Sequence, residues 1–291
     1  MKVAIVTATT LPQPDPDEPG LVRALTRRGA TVTVLPWDEP AAPFAEADVA
    51  VIRSTWNYLR DRDGFCAWAD RIAERTRLFN PAGVVRDNTD KRYLEDLERR
   101  GVPVVPSVFV SRTEPAEPAL AVCAARGWTD VVIKPSVSAG SFGTRRFGPD
   151  GRDEAVAFLR QMLDERDMML QPYQPSVETW GERSLVWIDG ALTHATRKTR
   201  RFAGDPPNIS EAVEIEGDER ELAARALAGL EDQLLYARVD VARDERGEPR
   251  LMELELTEPY LMLDRFPAAL ERLADALIRV AAGGSILDRP A

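Results

Sequence analysis

Three carboxylates are spaced along two predicted strands so that they would meet on one face of a sheet. A hairpin between residues 236 and 256 carries Asp240 on its first strand and both Glu253 and Glu255 on its second. Residues two apart in a strand share a face, so Arg238 accompanies Asp240. A turn midway along the hairpin places Asp240 opposite Glu253 and Arg238 opposite Glu255.

Carboxylates that face one another in this way repel unless a cation or a proton relieves the repulsion. Oxygen ligands without His or Cys suit Mg²⁺ or Mn²⁺ rather than zinc. The hairpin therefore predicts a metal site built from Asp240, Glu253 and Glu255. The pattern leaves one alternative open, a solvated acidic face on an exposed hairpin with Arg238 in salt bridges.

A second group of residues is suited to binding an anion. A strand over residues 131–134 ends in Lys134, and a loop of small and hydroxyl-bearing residues follows it. Backbone N–H groups in such a loop can approach a phosphate closely, although the spacing is neither a Walker A loop nor a dinucleotide fingerprint. An ordinary Gly-Ser turn is the alternative. The candidate loop residues are Ser138, Gly140, Ser141 and Gly143.

A second lysine, Lys91, is expected in the first turn of a helix. Asn88 or Thr89 would cap this helix, and Gly101 would end it. A cation is disfavoured beside the positive end of a helix unless a bound anion compensates for it. Lys91 therefore becomes a second candidate ligand for a phosphate, with a lysine that reaches into solvent as the alternative.

The residues before this helix are predicted to form a small open α/β sheet. Strands are expected at residues 2–7, 31–35 and 48–53, with a helix ended by Gly29 between the first two and a second helix before the turn at Asn80. Ligands bind at the carboxyl ends of the strands in open sheets of this kind. The loop that follows the third strand is therefore a candidate binding site.

That loop carries groups suited to a small amino-acid-like substrate. Arg53 is expected to pair with a carboxylate, Ser54 offers a hydroxyl group, and Trp56 and Tyr58 would form the walls of a pocket. The alternative is a surface loop with Trp56 packed between domains.

Further strands are expected along the rest of the chain. One lies near residues 104–110, two more (184–188 and 192–196) flank a turn at Asp189, and a helix is expected around residues 220–230. His194 lies on one of these strands, where a structural role is favoured over that of a general base.

Composition excludes several classes of protein. The 291 residues carry a net charge of −10, which opposes nucleic-acid binding. Two separated cysteines and a single histidine do not form a usual zinc site. No apolar run is long enough to span a membrane, and a cytoplasmic protein is expected. A basic run from Arg197 to Arg201, followed by Gly204-Asp-Pro-Pro, is interpreted as a mobile lid over phosphates.

Taken in order, these motifs resemble the ATP-grasp superfamily. The resemblance rests on Asp90-Lys91, Ile133-Lys134-Pro with its Gly-rich loop, Leu170-Gln171-Pro, Arg238-Val-Asp240 and Glu253-Leu-Glu255. More narrowly, the segments Arg53–Tyr58 and Met252–Pro259 are similar to the bacterial subgroup of cyclo-ligases that make D-cycloserine from O-ureido-D-serine. Many superfamily members end the metal motif in Glu-x-Asn, whereas this chain has Glu255 at the last position.

The resemblance implies an α/β fold of three parts. These are an open α/β pre-grasp domain over residues 1–87, a grasp subdomain with the Gly-rich loop over 88–172, and a second grasp subdomain with the metal hairpin over 173–291. The two grasp subdomains, of α+β character, would clamp ATP between them. The oligomeric state, monomer or homodimer, stays open.

The resemblance also implies roles for individual residues. Lys91 and Lys134 would bind the ATP phosphates, and the loop would close over them. Either Glu178 or Glu182 would accept hydrogen bonds from the ribose, and Glu182 matches better. The linker residues expected to hold adenine are Gln171, Pro172, Tyr173 and Gln174.

For the reacting centre, the resemblance implies that Asp240, Glu253 and Glu255 hold one or two Mg²⁺ ions. Arg197 and Arg238 would stabilise the transferring phosphoryl group. The expected activity is that of an ATP-dependent ligase. It would activate a small amino-acid-like carboxylate as an acyl phosphate for attack by a nitrogen nucleophile, within one molecule as in D-cycloserine formation. An intermolecular carboxylate-amine ligase, a phosphotransferase acting on a hydroxyl group and a non-catalytic nucleotide-binding module are the alternatives.

Overall fold

The first part of the chain forms a parallel sheet whose strands alternate with helices. The computed structural model describes residues 1–198 and 209–289. The sheet has the strand order β2-β1-β3-β4. Its strands are β1 (Lys2–Thr7), β2 (Thr31–Pro36), β3 (Val49–Ile52) and β4 (Arg77–Phe79), and its helices are α1 (Glu18–Arg27), α2 (Arg62–Ala73) and α3 (Ala82–Asn88).

Local sequence signals explain these boundaries. Gly29, which follows α1, has a φ of +82°, a conformation that glycine adopts without steric cost. Asp61 caps α2 by accepting a hydrogen bond from the backbone N–H of Gly64 at 2.9 Å. The buried face of α2 presents Phe65 and Trp68 to the sheet.

The middle of the chain forms an antiparallel sheet with the order β5-β8-β6-β7. Two helices cover it, and their contacts with Ile133 and Leu170 make a separate small core. The elements are α4 (Tyr93–Arg99), β5 (Val108–Val110), α5 (Ala116–Ala125), β6 (Val131–Pro135), β7 (Arg145–Phe147), α6 (Arg152–Leu163) and β8 (Met168–Pro172).

The last part forms an antiparallel sheet with the order β11-β10-β9-β12-β13. The predicted turn at Asp189 joins β9 to β10 and has positive φ angles at Asp189 and Gly190. The elements are α7 (Ser176–Thr179), β9 (Glu182–Ile188), β10 (Ala191–Lys198), β11 (Ile209–Val213), α8 (Gly217–Leu227), β12 (Tyr236–Arg243), β13 (Pro249–Glu255) and α9 (Pro267–Ala281).

The hairpin of β12 and β13 has the predicted register at the carboxylates. Asp240 pairs with Glu253, and Arg238 pairs with Glu255. The register shifts beyond Asp240, where Val241 pairs with Leu251. The hairpin thus contains a bulge that the sequence analysis does not predict.

Buried contacts fix the first sheet to the third. Side chains of β1 share one hydrophobic core with β9, β12 and α9. The Asn80 amide donates to the carbonyls of Tyr236 and Leu256 at 2.9 and 2.6 Å and accepts from the N–H of Leu235 at 3.0 Å. The Tyr236 hydroxyl donates to the carbonyl of Ile52 at 2.7 Å.

Two local predictions are wrong. Asn88 does not cap a helix: it ends α3, and its side chain pairs with the backbone of Leu254 and Leu256 at 2.7 Å each. Lys91 precedes α4 rather than lying in its first turn, so the helix-dipole argument for this lysine does not apply.

The strand expected near residues 104–110 is shorter than predicted. It contains only residues 108–110, because Val104 bridges to Leu251 of β13 instead and Pro106 has no backbone N–H to donate to a ladder. Each of the three sheets lies inside one predicted domain range, and the exact domain boundaries stay a prediction. No helix among the described residues is both long and apolar enough to cross a membrane.

Candidate functional site

A cleft of about 1630 Å³ lies where the three sheets meet. Most of the predicted site residues line it: Trp56, Tyr58, Lys91, Lys134, Ser138, Gly140, Ser141, Gly143, Gln171, Pro172, Tyr173, Gln174, Glu182, Arg238, Asp240, Glu253 and Glu255. Four do not line it: Arg53, Ser54, Glu178 and Arg197.

The hairpin carboxylates converge at one point of this cleft. One oxygen from each of Asp240, Glu253 and Glu255 lies within 4.8 Å of the others. Asp240 is 2% exposed and accepts hydrogen bonds from Ser184 at 2.7 Å, from Lys198 at 2.8 Å and twice from Arg238 at 2.9 Å. The hairpin face is therefore the wall of a cleft, not an exposed acidic surface.

The other two carboxylates also have cationic partners. Lys134 donates to Glu253 at 2.7 Å, and Arg238 pairs with Glu255. Lysine and arginine side chains thus supply positive charge to the facing carboxylates.

The pKa values of these carboxylates differ in direction. Burial disfavours the charge on Asp240, but Arg238 and Lys198 outweigh it and hold the pKa of Asp240 well below its usual range. Burial also disfavours the charge on Glu253, but the neighbouring Lys134 outweighs it, and the pKa of Glu253 falls to about 2. At Glu255 burial is the larger effect and raises the pKa, although the charge of Arg238 acts to lower it. The donor set, three carboxylates without His or Cys, fits a hard divalent cation.

The glycine-rich loop is held next to this carboxylate set. Lys91 donates to the carbonyl and hydroxyl oxygens of Ser138 at 3.0 and 3.1 Å. Gly140, Ser141 and Gly143 all have φ angles between +60° and +66°. At Gly143 a Cβ would also lie 3.0 Å from side chains of Pro135 and Met162, so a larger residue would be crowded there as well as strained.

The linker after β8 forms another part of the wall. Gln171 is buried and donates to Ser107 at 3.0 Å. Tyr173 lies under the guanidinium of Arg146, 3.5 Å from the ring centre to Cζ, and donates to Glu178 at 2.7 Å. The Glu178 carboxylate is therefore hydrogen-bonded on the side of the linker that faces away from the cleft.

Glu182 instead lies in the cleft, where Lys198 donates to it at 2.8 Å. Of the two glutamates considered for the ribose, the structure brings only Glu182 to the site. Arg146 also binds Glu178 at 3.1 Å, which explains why that carboxylate faces away.

The prediction of a catalytic role for Arg197 is wrong, because its side chain lies on the opposite face of β10. Alternation along the strand directs Thr196 and Lys198 to one face and Arg197 to the other, where it donates to the carbonyl of Thr179 at 2.7 Å. Lys198 occupies the expected position instead. The rest of the predicted basic lid, residues 199–201 and the Gly204 segment, lies outside the described residues.

Lys198 enters the sequence analysis only as a member of the basic run from Arg197 to Arg201 and is not singled out there, yet one signal was available. Lys2, Lys91, Lys134 and Lys198 are the four lysines of the chain, against a total of 38 lysines and arginines. Three of these four line the cleft. A rare residue type concentrated at one site indicates that its compact charge is required there.

Arg53 and Ser54 are also corrected. The Arg53 guanidinium is 1% exposed, donates to the carbonyl of Pro259 at 2.7 Å and pairs with Asp17 at 3.3 Å. Ser54 is fully buried and bonds to the Thr7 hydroxyl at 3.0 Å. Arg53 joins the first sheet to the segment after β13, whereas Ser54 bonds to the end of β1, and neither residue lines the cleft.

His194 lies in the core beside the cleft. Its ring stacks on Phe266 with 3.9 Å between ring centres, and its nitrogens bond to Thr193 at 2.9 Å and to the carbonyl of Leu261 at 3.0 Å. Burial lowers the pKa of His194 to about 4, against the raising effect of the bond to Leu261. These contacts describe a neutral histidine with a structural role.

Comparisons with known proteins agree with this arrangement. The family model described as the N-terminal domain of D-cycloserine synthetase DcsG matches residues 3–80. The cycloserine biosynthesis protein DcsG of Streptomyces lavendulae is 33% identical over 294 residues, which cover 94% of this chain and 97% of that protein.

Solved structures give the same result. The crystal structure of D-cycloserine synthetase DcsG is similar with a TM-score of 0.88 at 31% identity, over 97% of this chain and 100% of that one. D-Alanine–D-alanine ligase from Bacillus anthracis has a TM-score of 0.73 at 15% identity, over 97% of this chain and 98% of that one. This second likeness concerns the fold alone.

Proposed function

The chain belongs to the D-cycloserine synthetase family of ATP-grasp ligases, and we propose that it closes a ring within a small amino-acid-like substrate at the expense of ATP. The family makes it an ATP-dependent ligase. The proposal adds that the substrate resembles O-ureido-D-serine. A carboxylate oxygen of the substrate attacks the γ-phosphorus and ADP leaves, after which a nitrogen of the same molecule attacks the acyl carbon, loses its proton and displaces phosphate. With O-ureido-D-serine the ring nitrogen then still carries the carbamoyl group, which water must remove as CO₂ and ammonia to give cycloserine. Such intramolecular attack has a large entropic advantage.

The observation that carries this proposal is the meeting of three lysines with the three hairpin carboxylates in one cleft. Lys91 and Lys134 are positioned to bind phosphate oxygens beside the Gly-rich loop. Both lysines are less than a tenth exposed. Lys134 pairs with Glu253, whereas Lys91 donates to neutral oxygens of Ser138 and would gain strongly from an anionic partner. Gln171 to Gln174 form the wall proposed for adenine, and Glu182 is proposed for the ribose.

Asp240, Glu253 and Glu255 are the residues proposed to hold Mg²⁺. A bound Mg²⁺ would neutralise negative charge on the reacting phosphates. Arg238 lines the same cleft and is proposed to donate hydrogen bonds to the transferring phosphoryl group. Phe142, at the tip of the loop, is 45% exposed and is available to close over the site and exclude water.

The reaction is tested by ADP release with O-ureido-D-serine as the sole acid substrate, with the product identified by its mass. The proposal expects ADP, phosphate and a cyclised product. A strict requirement for a second, amine-bearing molecule would instead support the intermolecular ligase. A phosphorylated product without free phosphate would support the phosphotransferase, and nucleotide binding without ADP release would support a binding module.

The nucleotide site is tested by Lys134→Met and Lys91→Met. Each change should weaken ATP binding by about 1–3 kcal/mol, the range for a charge-assisted hydrogen bond. Calorimetric titration with a non-hydrolysable ATP analogue measures the affinity, and Lys2→Met, an exposed lysine outside the cleft, is the matched control. Near-normal affinity in both cleft variants would contradict the assignment of the two lysines.

A further inference from the structure

A fourth carboxylate, Glu258, lines the cleft without belonging to the set that the motifs predict. It lies three residues beyond the end of β13, next to the loop that follows β3. Trp56 donates to its backbone carbonyl at 3.2 Å, and the Tyr58 hydroxyl is hydrogen-bonded to its carboxylate. Tyr58 is itself buried and stacked on Phe65, so the position of this carboxylate is well defined.

Glu258 differs from its neighbours in its cationic contacts: the charges of Lys91 and Arg238 favour its ionised form, but neither side chain forms an ion pair with it. Asp240, Glu253 and Glu255 each form an ion pair with a lysine or arginine. Within residues 1–198 and 209–289, no lysine or arginine forms an ion pair with Glu258, although Arg60 and Arg265 also line the cleft. Burial, together with the charge of Glu255, raises the pKa of Glu258 to about 8. Without an ion pair the carboxyl group of Glu258 is mostly protonated at neutral pH, and a bound cation would favour its ionised form.

We infer that Glu258 binds the amino group of the amino-acid-like substrate, with Trp56 and Tyr260 as the aromatic sides of the subsite. An ammonium group would pair with the ionised carboxylate of Glu258, and it is also attracted by aromatic faces. A substrate carboxylate gains no such ion pair at this position. The inference rests on the proposed function for the existence of an acid substrate that carries an amino group.

The burial of Arg53 strengthens this assignment. The sequence alone gives the loop after β3 a positive charge facing the substrate, and hence the recognition of a carboxylate. The structure removes that charge from the cleft and places Glu258 beside Trp56 and Tyr58. The subsite is therefore suited to a cationic group of the substrate and not to an anionic one. The substrate carboxylate is then free to face the phosphates and lysines, as activation requires.

The test compares two substrates in two proteins. The substrates are O-ureido-D-serine and 3-(ureidooxy)propanoate, which differ only in the amino group, and the proteins are the wild type and Glu258→Gln. In the wild type, kcat/KM should be about 10- to 100-fold higher for the amino compound, as expected for a charge-assisted hydrogen bond. Glu258→Gln should lose most of this preference while the KM for ATP changes little.

Two further variants separate recognition from folding. Glu245→Gln makes the same chemical change at an exposed position in the turn of the same hairpin and should retain the full preference. Tyr58→Phe removes the hydroxyl that positions Glu258 and should reduce the preference in part. Thermal unfolding of each variant shows whether the cleft is intact.

A Glu258→Gln protein that is impaired equally with both substrates would overturn the inference, because a structural defect has no reason to distinguish them. If the wild type activates neither ureido compound, the proposed reaction fails. The same comparison is then made with the acid that does release ADP and with its deaminated analogue. Retention of the preference in Glu258→Gln, or an acid substrate without any amino group, would overturn the role of Glu258.

Discussion

Removing Asp240 and removing Glu255 should affect the stability of the ligand-free enzyme very differently, although both carboxylates belong to one set. We expect Asp240→Asn to lower the free energy of unfolding by about 3–5 kcal/mol, the usual cost of breaking a buried ion pair on one side. We expect Glu255→Gln to change it by no more than about 1 kcal/mol.

The contacts of each residue account for the difference. Asp240 is 2% exposed, and its loss would leave the buried charges of Lys198 and Arg238 with weaker partners. The side chain of Glu255 is 30% exposed and pairs with Arg238, which keeps Asp240 as a partner in the Glu255 variant. Burial and the charge of Asp240 already disfavour the ionised form of Glu255, so a neutral glutamine relieves repulsion while it loses one ion pair.

Equilibrium urea unfolding, followed by tryptophan fluorescence, measures both effects. The experiment is done near neutral pH with EDTA and without nucleotide, so that only the protein's own cations neutralise the cleft. Glu245→Gln provides the baseline for an exposed glutamate of the same hairpin. Equal losses in the two cleft variants, or an Asp240→Asn protein as stable as the wild type, would refute the reasoning.

Three other outcomes are expected. An unfolded histidine titrates near pH 6.5 and buried His194 near pH 4, so the unfolded state binds more protons in this window and stability falls as the pH is lowered through it. In His194→Asn the free energy of unfolding from urea titrations should fall by about 2–3 kcal/mol less across this pH range, at ~1.4 kcal/mol per unit of pKa difference, and an unchanged slope would contradict this. Arg53→Ala should lower the thermal midpoint without raising the KM of the acid substrate more than that of ATP, and a selective rise would return Arg53 to the substrate site. Lys198→Met should lower kcat/KM for ATP at least about 10-fold while Arg197→Met stays near the wild type, and equal effects would refute the assignment of strand faces.

The arrangement of the hairpin could be predicted because local rules determine it. Alternation assigns Asp240 and Glu253 to a face, and a short turn then sets which residues are opposite. The bulge after Asp240 was not predictable, because it depends on how β13 fits its surroundings. For example, the backbone N–H of Leu254 on β13 donates to the hydroxyl of Tyr93 at 2.8 Å, and these two residues lie 161 positions apart in the sequence.

Arg53 and Lys198 show two other limits. The partners that bury Arg53 are Asp17 and the carbonyl of Pro259, and the latter lies 206 residues away. No pattern near Arg53 contains that information. Lys198 was not singled out for a simpler reason. The predicted strand ended at Thr196, and extending it by two residues places Lys198 on the same face as Thr196.

The bonds made by Asn80 determine whether the amino-terminal segment is a transferable module. The family model for residues 3–80 delimits this segment in sequence, but in the folded chain Asn80 satisfies backbone groups of Leu235, Tyr236 and Leu256. A chimera that exchanged only the first 80 residues with a relative would have to reproduce those bonds or leave buried backbone groups unpaired. Exchange of this segment between family members therefore requires, at position 80, a side chain that can donate and accept these bonds as Asn80 does.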